Sequence, residues 1–178
     1  YRLLKENQID VIIPLIPWEQ KLFSSDNPEF EKLKIKSLAP ALALDKQMNN
    51  KKDLFLFCKD KGIPVIQNYE WKDIEKDTLY FVKPADGFGA MGTGCMYGRE
   101  LTPEMFEDYV VQENCAAERE LEEVTVEVFW HEGKVHSIAR QRIESKNGVC
   151  TKARILDIPE TEEAIWKMVQ TFDFPKIF

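Results

Sequence analysis

The residues best suited to chemistry lie in one short stretch. Lys83 closes a β-branched and aromatic run, Thr78-Leu79-Tyr80-Phe81-Val82-Lys83-Pro84, and Gly87, Gly89 and Gly92 follow it in a G-x-G-x-x-G pattern. A lysine at a strand end supplies a fixed positive charge, and a loop without Cβ atoms lets backbone N–H groups approach phosphate oxygens closely. Glycines are common in ordinary turns, so the pattern by itself decides little. Its surroundings decide more. A dinucleotide fingerprint must open a helix so that the pyrophosphate meets the helix N-terminus, yet Thr93-Gly94-Cys95-Met96-Tyr97-Gly98 is strand-like. A protein-kinase loop needs its lysine on the following strand, and no lysine occurs between Pro84 and Lys134. A Walker A loop ends in Gly-Lys-Ser/Thr, whereas Cys95 follows Gly94. What remains is a lysine-bearing strand running into a glycine-rich hairpin, a hinged flap suited to a triphosphate. The plain alternative is a surface lysine at a strand end.

Several elements must position that hairpin. Ile9 to Leu15 is a β-branched run closed by prolines and reads as a buried strand, after which Asn27 or Asp26 caps a charged helix through about Lys34. A helix is expected over Asp45 to Lys61, ended by Gly62 before a short strand Ile63-Pro64-Val65-Ile66. Beyond the hairpin, a short strand around Cys95-Met96-Tyr97 leads to a helix opened by Thr102 with Pro103 at its first position, and Val110-Val111-Gln112-Glu113 begins another strand. The second half reads as antiparallel: Glu123 to Trp130 alternates, residues 131–134 turn, Val135 to Glu144 returns, and Asn147-Gly148 turns the chain into Val149 to Ile155. A last helix begins at Pro159-Glu160-Thr161, with Ile165, Met168, Val169 and Phe172 on one stripe.

With 178 residues, 44% hydrophobic and 31% charged, the chain can bury a core as one domain or as two small lobes sharing a cleft, and it is not disordered. Its net charge of −7 excludes a broad electrostatic footprint for nucleic acid, so an anionic ligand must be met by locally placed cations and N–H groups. No apolar run reaches the ~18 residues of a membrane span, and no signal-peptide pattern opens the chain; a cytoplasmic protein is expected. Cys58, Cys95, Cys115 and Cys150 are scattered without a Cys-x-x-Cys pair and read as reduced, mostly packing thiols. Tyr1 opens without methionine and residues 172–178 read like the start of a strand, so a fragment is expected.

The order of these features resembles the ATP-grasp superfamily, in particular the branch containing the large chain of carbamoyl-phosphate synthetase. The resemblance rests on Asp45-Lys46, Gly62-Ile63-Pro64-Val65, Phe81-Val82-Lys83-Pro84 with its glycine loop, Val111-Gln112-Glu113, and Glu123 to Val128. It spans roughly Ile9 to Phe178. It implies an α/β (α+β) fold made of ATP-grasp nucleotide-binding lobes: 1–44 the end of a preceding lobe, 45–110 the smaller lobe, and 111–178 an incomplete larger lobe. Lys46 and Lys83 would be the two nucleotide-binding lysines. Gln112, Glu113, Asn114 and Cys115 would form the hinge that reads adenine, with the Glu113 carbonyl accepting from the exocyclic amine, and Glu123 would bind the ribose hydroxyls. Glu113 and Glu123 are farther apart than is usual in the family, with residues 116–120 reading as an insertion.

A hairpin turn centred on Glu132-Gly133 places Glu123 opposite Arg142 and Thr125 opposite Arg140, on one face with Glu127. Lys152 and Arg154 share a face of the next strand. Such alternation also suits a solvated outer sheet face. Under the resemblance, Arg140, Arg142 and Lys152 become candidates for the phosphates or an acyl phosphate. The family's Mg2+ ligands fall on a strand following the last helix, hence after Phe178, and Asp26-Asn27-Pro28 is a turn and helix cap rather than that motif. The implied parent is an ATP-dependent carboxylate–amine or ammonia ligase taking ATP and an unidentified carboxylate, with this chain itself inactive. The alternative is a non-catalytic nucleotide-binding or interaction module of the same shape.

Overall fold

The computed structural model describes residues 1–87, 89–115, 123–131, 134–146 and 149–171. The expected turns at 132–133 and 147–148, the insertion at 116–120, Phe88 and Phe172 lie outside them.

The chain begins with α1 (Arg2–Glu6), β1 (Val11–Ile12), α2 (Pro17–Leu22), α3 (Pro28–Leu33) and β2 (Lys36–Ser37), and β1 and β2 pair in parallel. β1 is much shorter than the run Ile9 to Leu15, since Pro14 brings no N–H to a ladder, and the run is not buried as expected: Ile9, Val11, Ile13 and Leu15 are exposed. Asn27 caps α3 as expected, its Oδ1 accepting from Glu29 N at 3.0 Å.

The single helix expected over Asp45 to Lys61 is two: α4 (Leu42–Asn49) and α5 (Lys51–Asp60). Asn50 breaks it. Its backbone is extended at φ −86°, ψ 117°, and its Oδ1 accepts from Lys52 N and Asp53 N, so the side chain caps α5 instead of continuing α4. Gly62 ends α5 as the sequence indicates, in the left-handed region at φ 62°. Gly62 N donates to Lys59 O and Ile63 N to Cys58 O, a Schellman closure whose apolar contact joins Ile63 to Cys58. The expected strand at Ile63 to Ile66 is absent. Ile63 is used by the helix closure and Pro64 lacks a donor; the chain reaches a sheet only at Asn68, bridged to Gln112.

β3 (Leu79–Pro84), β4 (Gly94–Tyr97), α6 (Met105–Asp108) and β5 (Tyr109–Glu113) follow. β3 lies between β4 and β5 in an antiparallel sheet. α6 starts later than Thr102 because residues 102–107 close with N–H bonds to the third residue back, a tighter turn than an α-helix. Tyr80, Val82, Leu101 and Val111 form the buried centre, with Tyr69, Ile74, Met96 and Phe106 packed around it. Gly98 admits no side chain: a Cβ there would stand 2.1 Å from the Glu75 carbonyl oxygen.

β6 (Val124–His131), β7 (Lys134–Lys146) and β8 (Val149–Leu156) make a second antiparallel sheet, followed by α7 (Glu160–Thr171). The register pairs Thr125 with Arg140 and Val124 with Gln141, as the hairpin parity predicts. Ile165 is the buried member of the α7 stripe, with Met168 and Val169 half-buried.

Candidate functional site

β3 alternates. Tyr80 and Val82 point into the core, so Phe81 and Lys83 occupy the other face, where Gln112 and Cys95 stand beside Phe81 in the ladder. Lys83 is half-buried there, its Nζ 5.9 Å from the Phe81 ring centre. Burial holds the Lys83 ammonium below the ordinary lysine range, and the charge of Lys51 lowers it further. No carboxylate among the described residues forms an ion pair with it.

The loop after β3 needs its glycines. Gly87, Gly89 and Gly92 have φ of 142°, 67° and 69°, a region L side chains avoid, and a Cβ on Gly92 would come within 3.1 Å of Pro84 Cγ. Ala90 is also left-handed at φ 57°.

The start of α5 grips this loop. Lys51 N donates to Ala85 O at 2.9 Å, Lys51 Nζ donates to Gly87 O at 3.1 Å and Ala85 O at 3.4 Å, and Asn50 Nδ2 donates to Asp86 Oδ2 at 3.2 Å. Burial lowers the Lys51 pKa too, with Asp86 opposing. Sequence reasoning passed over Lys51. The signal was Asn50, a preferred N-cap residue, which opens a new helix with Lys51 at its first position. Lys46 lies exposed on α4 and makes no hydrogen bond or ion pair with the loop among the described residues.

At the far end of β5, Gln112 is buried and donates from Nε2 to Asn68 Oδ1 at 2.6 Å, while Glu113 is exposed. Asn114 donates to Cys95 Sγ at 3.4 Å, and Cys115 is half-buried. All four cysteines are free; Cys58 is a packing thiol, but Cys95 is exposed.

The second sheet gathers Glu123, Glu127, Arg140 and Arg142 on one face and pairs them among themselves. Arg140 contacts Glu127 at 2.5 Å and Arg142 contacts Glu123, whose carbonyl also accepts from Arg142 N at 2.8 Å. Lys152 pairs with Glu144 at 3.1 Å. Opposite Arg140 and Arg142 on β8 stand Ile155 and Ala153, so Lys152 and Arg154, alternating with these, take the other face. The structure therefore separates Lys152 from the two arginines. Among the described residues no group of three or more His, Cys, Asp or Glu side chains is arranged to hold a metal ion, and no helix is long and apolar enough to cross a membrane.

No protein-family model matches the sequence, and no curated protein sequence matches it. Solved structures do share its fold. Carboxyaminoimidazole ribonucleotide synthase from Aspergillus clavatus, complexed with ATP, aligns with 97% of this chain and 49% of its own at TM-score 0.64 and 17% identity. D-alanyl-alanine synthetase A from Vibrio cholerae aligns with 92% of this chain and 58% of its own at TM-score 0.63 and 15% identity. L-amino acid ligase from Bacillus licheniformis aligns with 96% of this chain and 43% of its own at TM-score 0.61 and 19% identity. The chain thus has the mixed α/β ATP-grasp fold and spans about half the length of these proteins.

Proposed function

We propose that this chain is the ATP-binding portion of an ATP-dependent ligase, and that the triphosphate lies against Lys83, Lys51 and the loop from Asp86 to Gly94. The observation that carries the reading is the pair of desolvated ammonium groups at that loop, neither ion-paired with a carboxylate among the described residues. Two cations placed at one loop and partly removed from water are unfavourable until a polyanion joins them. Gly89 and Gly92 bring no Cβ of their own between the backbone N–H groups of that loop and an approaching phosphate. The names of the similar structures, a synthase complexed with ATP, a synthetase and a ligase, agree with this reading.

In the finer reading, carried by the resemblance to the carbamoyl-phosphate synthetase branch, a carboxylate takes the terminal phosphoryl group and an amine or ammonia attacks the acyl phosphate. This chain's residues would then work by positioning and charge stabilisation. Lys83 and Lys51 would hold phosphate oxygens, the 112–115 segment would hold the base, and Glu123 would reach the ribose after exchanging its contact with Arg142. Lys46, the other nucleotide-binding lysine implied by the resemblance, would reach the phosphates from its exposed position on α4. The acidic residues that hold Mg2+ belong to the strand following α7 in the family pattern.

The test is a melting curve with and without saturating ATP. At ATP near 100 times its dissociation constant, linkage gives about 2.7 kcal/mol of stabilisation, or several degrees for a chain of this size. Lys83→Ala should remove most of that shift. An equal shift in parent and variant would show that the glycine loop is not the phosphate site. ATP hydrolysis by the purified chain that is lost on Lys83→Ala would show turnover where only binding is expected.

A further inference from the structure

Asp45 is the one Asp, Glu, Lys or Arg among the described residues that is fully buried, at 0% relative exposure. Its Oδ1 accepts from Asn49 Nδ2 at 2.7 Å, while its Oδ2 is sealed from solvent without a hydrogen-bond partner. Lys21 acts on the group at longer range and forms no ion pair with it. Burial pushes the carboxyl above the usual carboxylate range, opposed by Lys21 and by the Asn49 hydrogen bond. Neither protonation state resolves the problem. An ionised Oδ2 lacks a donor, and a protonated one lacks an acceptor.

Asp45 forms part of the wall of a cavity of about 330 Å3 where α4, β6 and α7 meet. Leu44, Met48, Val128, Ile165, Met168 and Val169 supply the apolar lining. Leu44, Met48 and Met168 also belong to the packed cluster around Cys58 and Ile63, so this side of the wall is held in place. A mostly apolar cavity of this size with a few polar side chains, here Gln20, Asp45 and Asn49, is the usual make-up of a small-ligand pocket. The charge complement of a buried carboxylate in such a pocket is an ammonium.

The geometry points to a second ligand site, separate from the glycine loop, that takes a small primary amine with a branched apolar body. The ammonium completes Asp45 Oδ2, and the apolar body lies against Met48, Val128, Ile165 and Val169. Because Oδ2 has no exposed surface, the ammonium must displace Asn49 Nδ2 and donate to both carboxylate oxygens in its place. The site stands independently of the nucleotide reading, since none of its residues belongs to the loop or to β3.

The experiment titrates the 178-residue chain with 3-methylbutylamine and with the isosteric 3-methylbutanol, by calorimetry and by following the Met48 and Met168 methyl resonances. Saturable amine binding is expected, at least tenfold tighter than the alcohol, with both methionine methyls shifted and no competition from ATP. Asp45→Asn and Val169→Trp should each weaken the amine at least tenfold. Should either variant fail to fold, the amine-to-alcohol ratio and the methyl shifts of the parent decide. Equal affinity for the two probes, no amine binding at millimolar concentration, unmoved methionine methyls, or a side chain of the chain itself filling the cavity would each overturn the assignment.

Discussion

The glycine-loop region and the β6–β8 sheet both collect positive charge, but they hold it in opposite ways. Lys51 and Lys83 sit together, partly removed from water, without an ion-paired carboxylate among the described residues. Arg140, Arg142 and Lys152 each face a carboxylate that answers the charge. An anion arriving at the loop relieves an existing repulsion, whereas at the sheet it must displace Glu127, Glu123 or Glu144 first. Counting cations therefore says little about where a triphosphate binds; the state of each cation before binding says more.

Lys83→Ala is the strongest way to break the contrast. A hydrogen bond to a charged partner contributes about 1.5–3 kcal/mol, so ATP should bind roughly ten- to a hundredfold more weakly by calorimetry. Lys51→Ala should weaken ATP about tenfold, or ~1.4 kcal/mol, and also loosen the loop, because its Nζ holds the Ala85 and Gly87 carbonyls. Hydrogen exchange of the amides at 85–87 would read the second effect; unchanged exchange there would argue against the tether.

Gly92→Ala tests the loop geometry without touching a charge. A left-handed backbone costs a non-glycine residue about 1–2 kcal/mol, and the new Cβ also presses on Pro84, so denaturant unfolding should show a loss of that order. Arg142→Ala should change ATP affinity by well under about 1 kcal/mol, as expected for a charge already engaged by an exposed carboxylate, that of Glu123. An effect as large as that of Lys83→Ala would erase the distinction between the two regions.

The smallest effect is in pH. Lys51 and Lys83 titrate below the ordinary lysine value of 10.5 in the folded chain. Between their folded values and 10.5 the unfolded chain binds more protons, so this contribution to stability rises with pH and is lost as pH falls through the folded values. A bound triphosphate favours both protonated forms. The rise should flatten when ATP is present, and urea titrations across that range would detect it. A slope unchanged by ATP would place the anion elsewhere.

Much of this was legible beforehand because it depends on neighbours in the chain. The strand ending at Lys83, the Gly62 helix closure and the pairing of Thr125 with Arg140 follow from alternation, a left-handed turn residue and hairpin parity. Asn50 was the local exception. Its capping bonds to Lys52 N and Asp53 N compete with helix continuation, and a window rich in helix formers conceals that competition.

Other features exist only once distant segments meet. Lys51 reaches the loop because the start of α5 lies beside residues 85–87, a contact between residues more than thirty positions apart. The bulge in β7 and the alternation along β8 set Lys152 away from Arg140 and Arg142, although all three look equivalent as charges in a row. Asp45 looks like an ordinary helix-opening acid in the sequence. Only the packing of α4 against α2 and α5 takes it out of water and leaves one oxygen unmatched. The division follows the range of the forces: capping, turn preference and side-chain period act within a few residues, while desolvation and the pairing of charges are set by whatever the folded chain brings alongside.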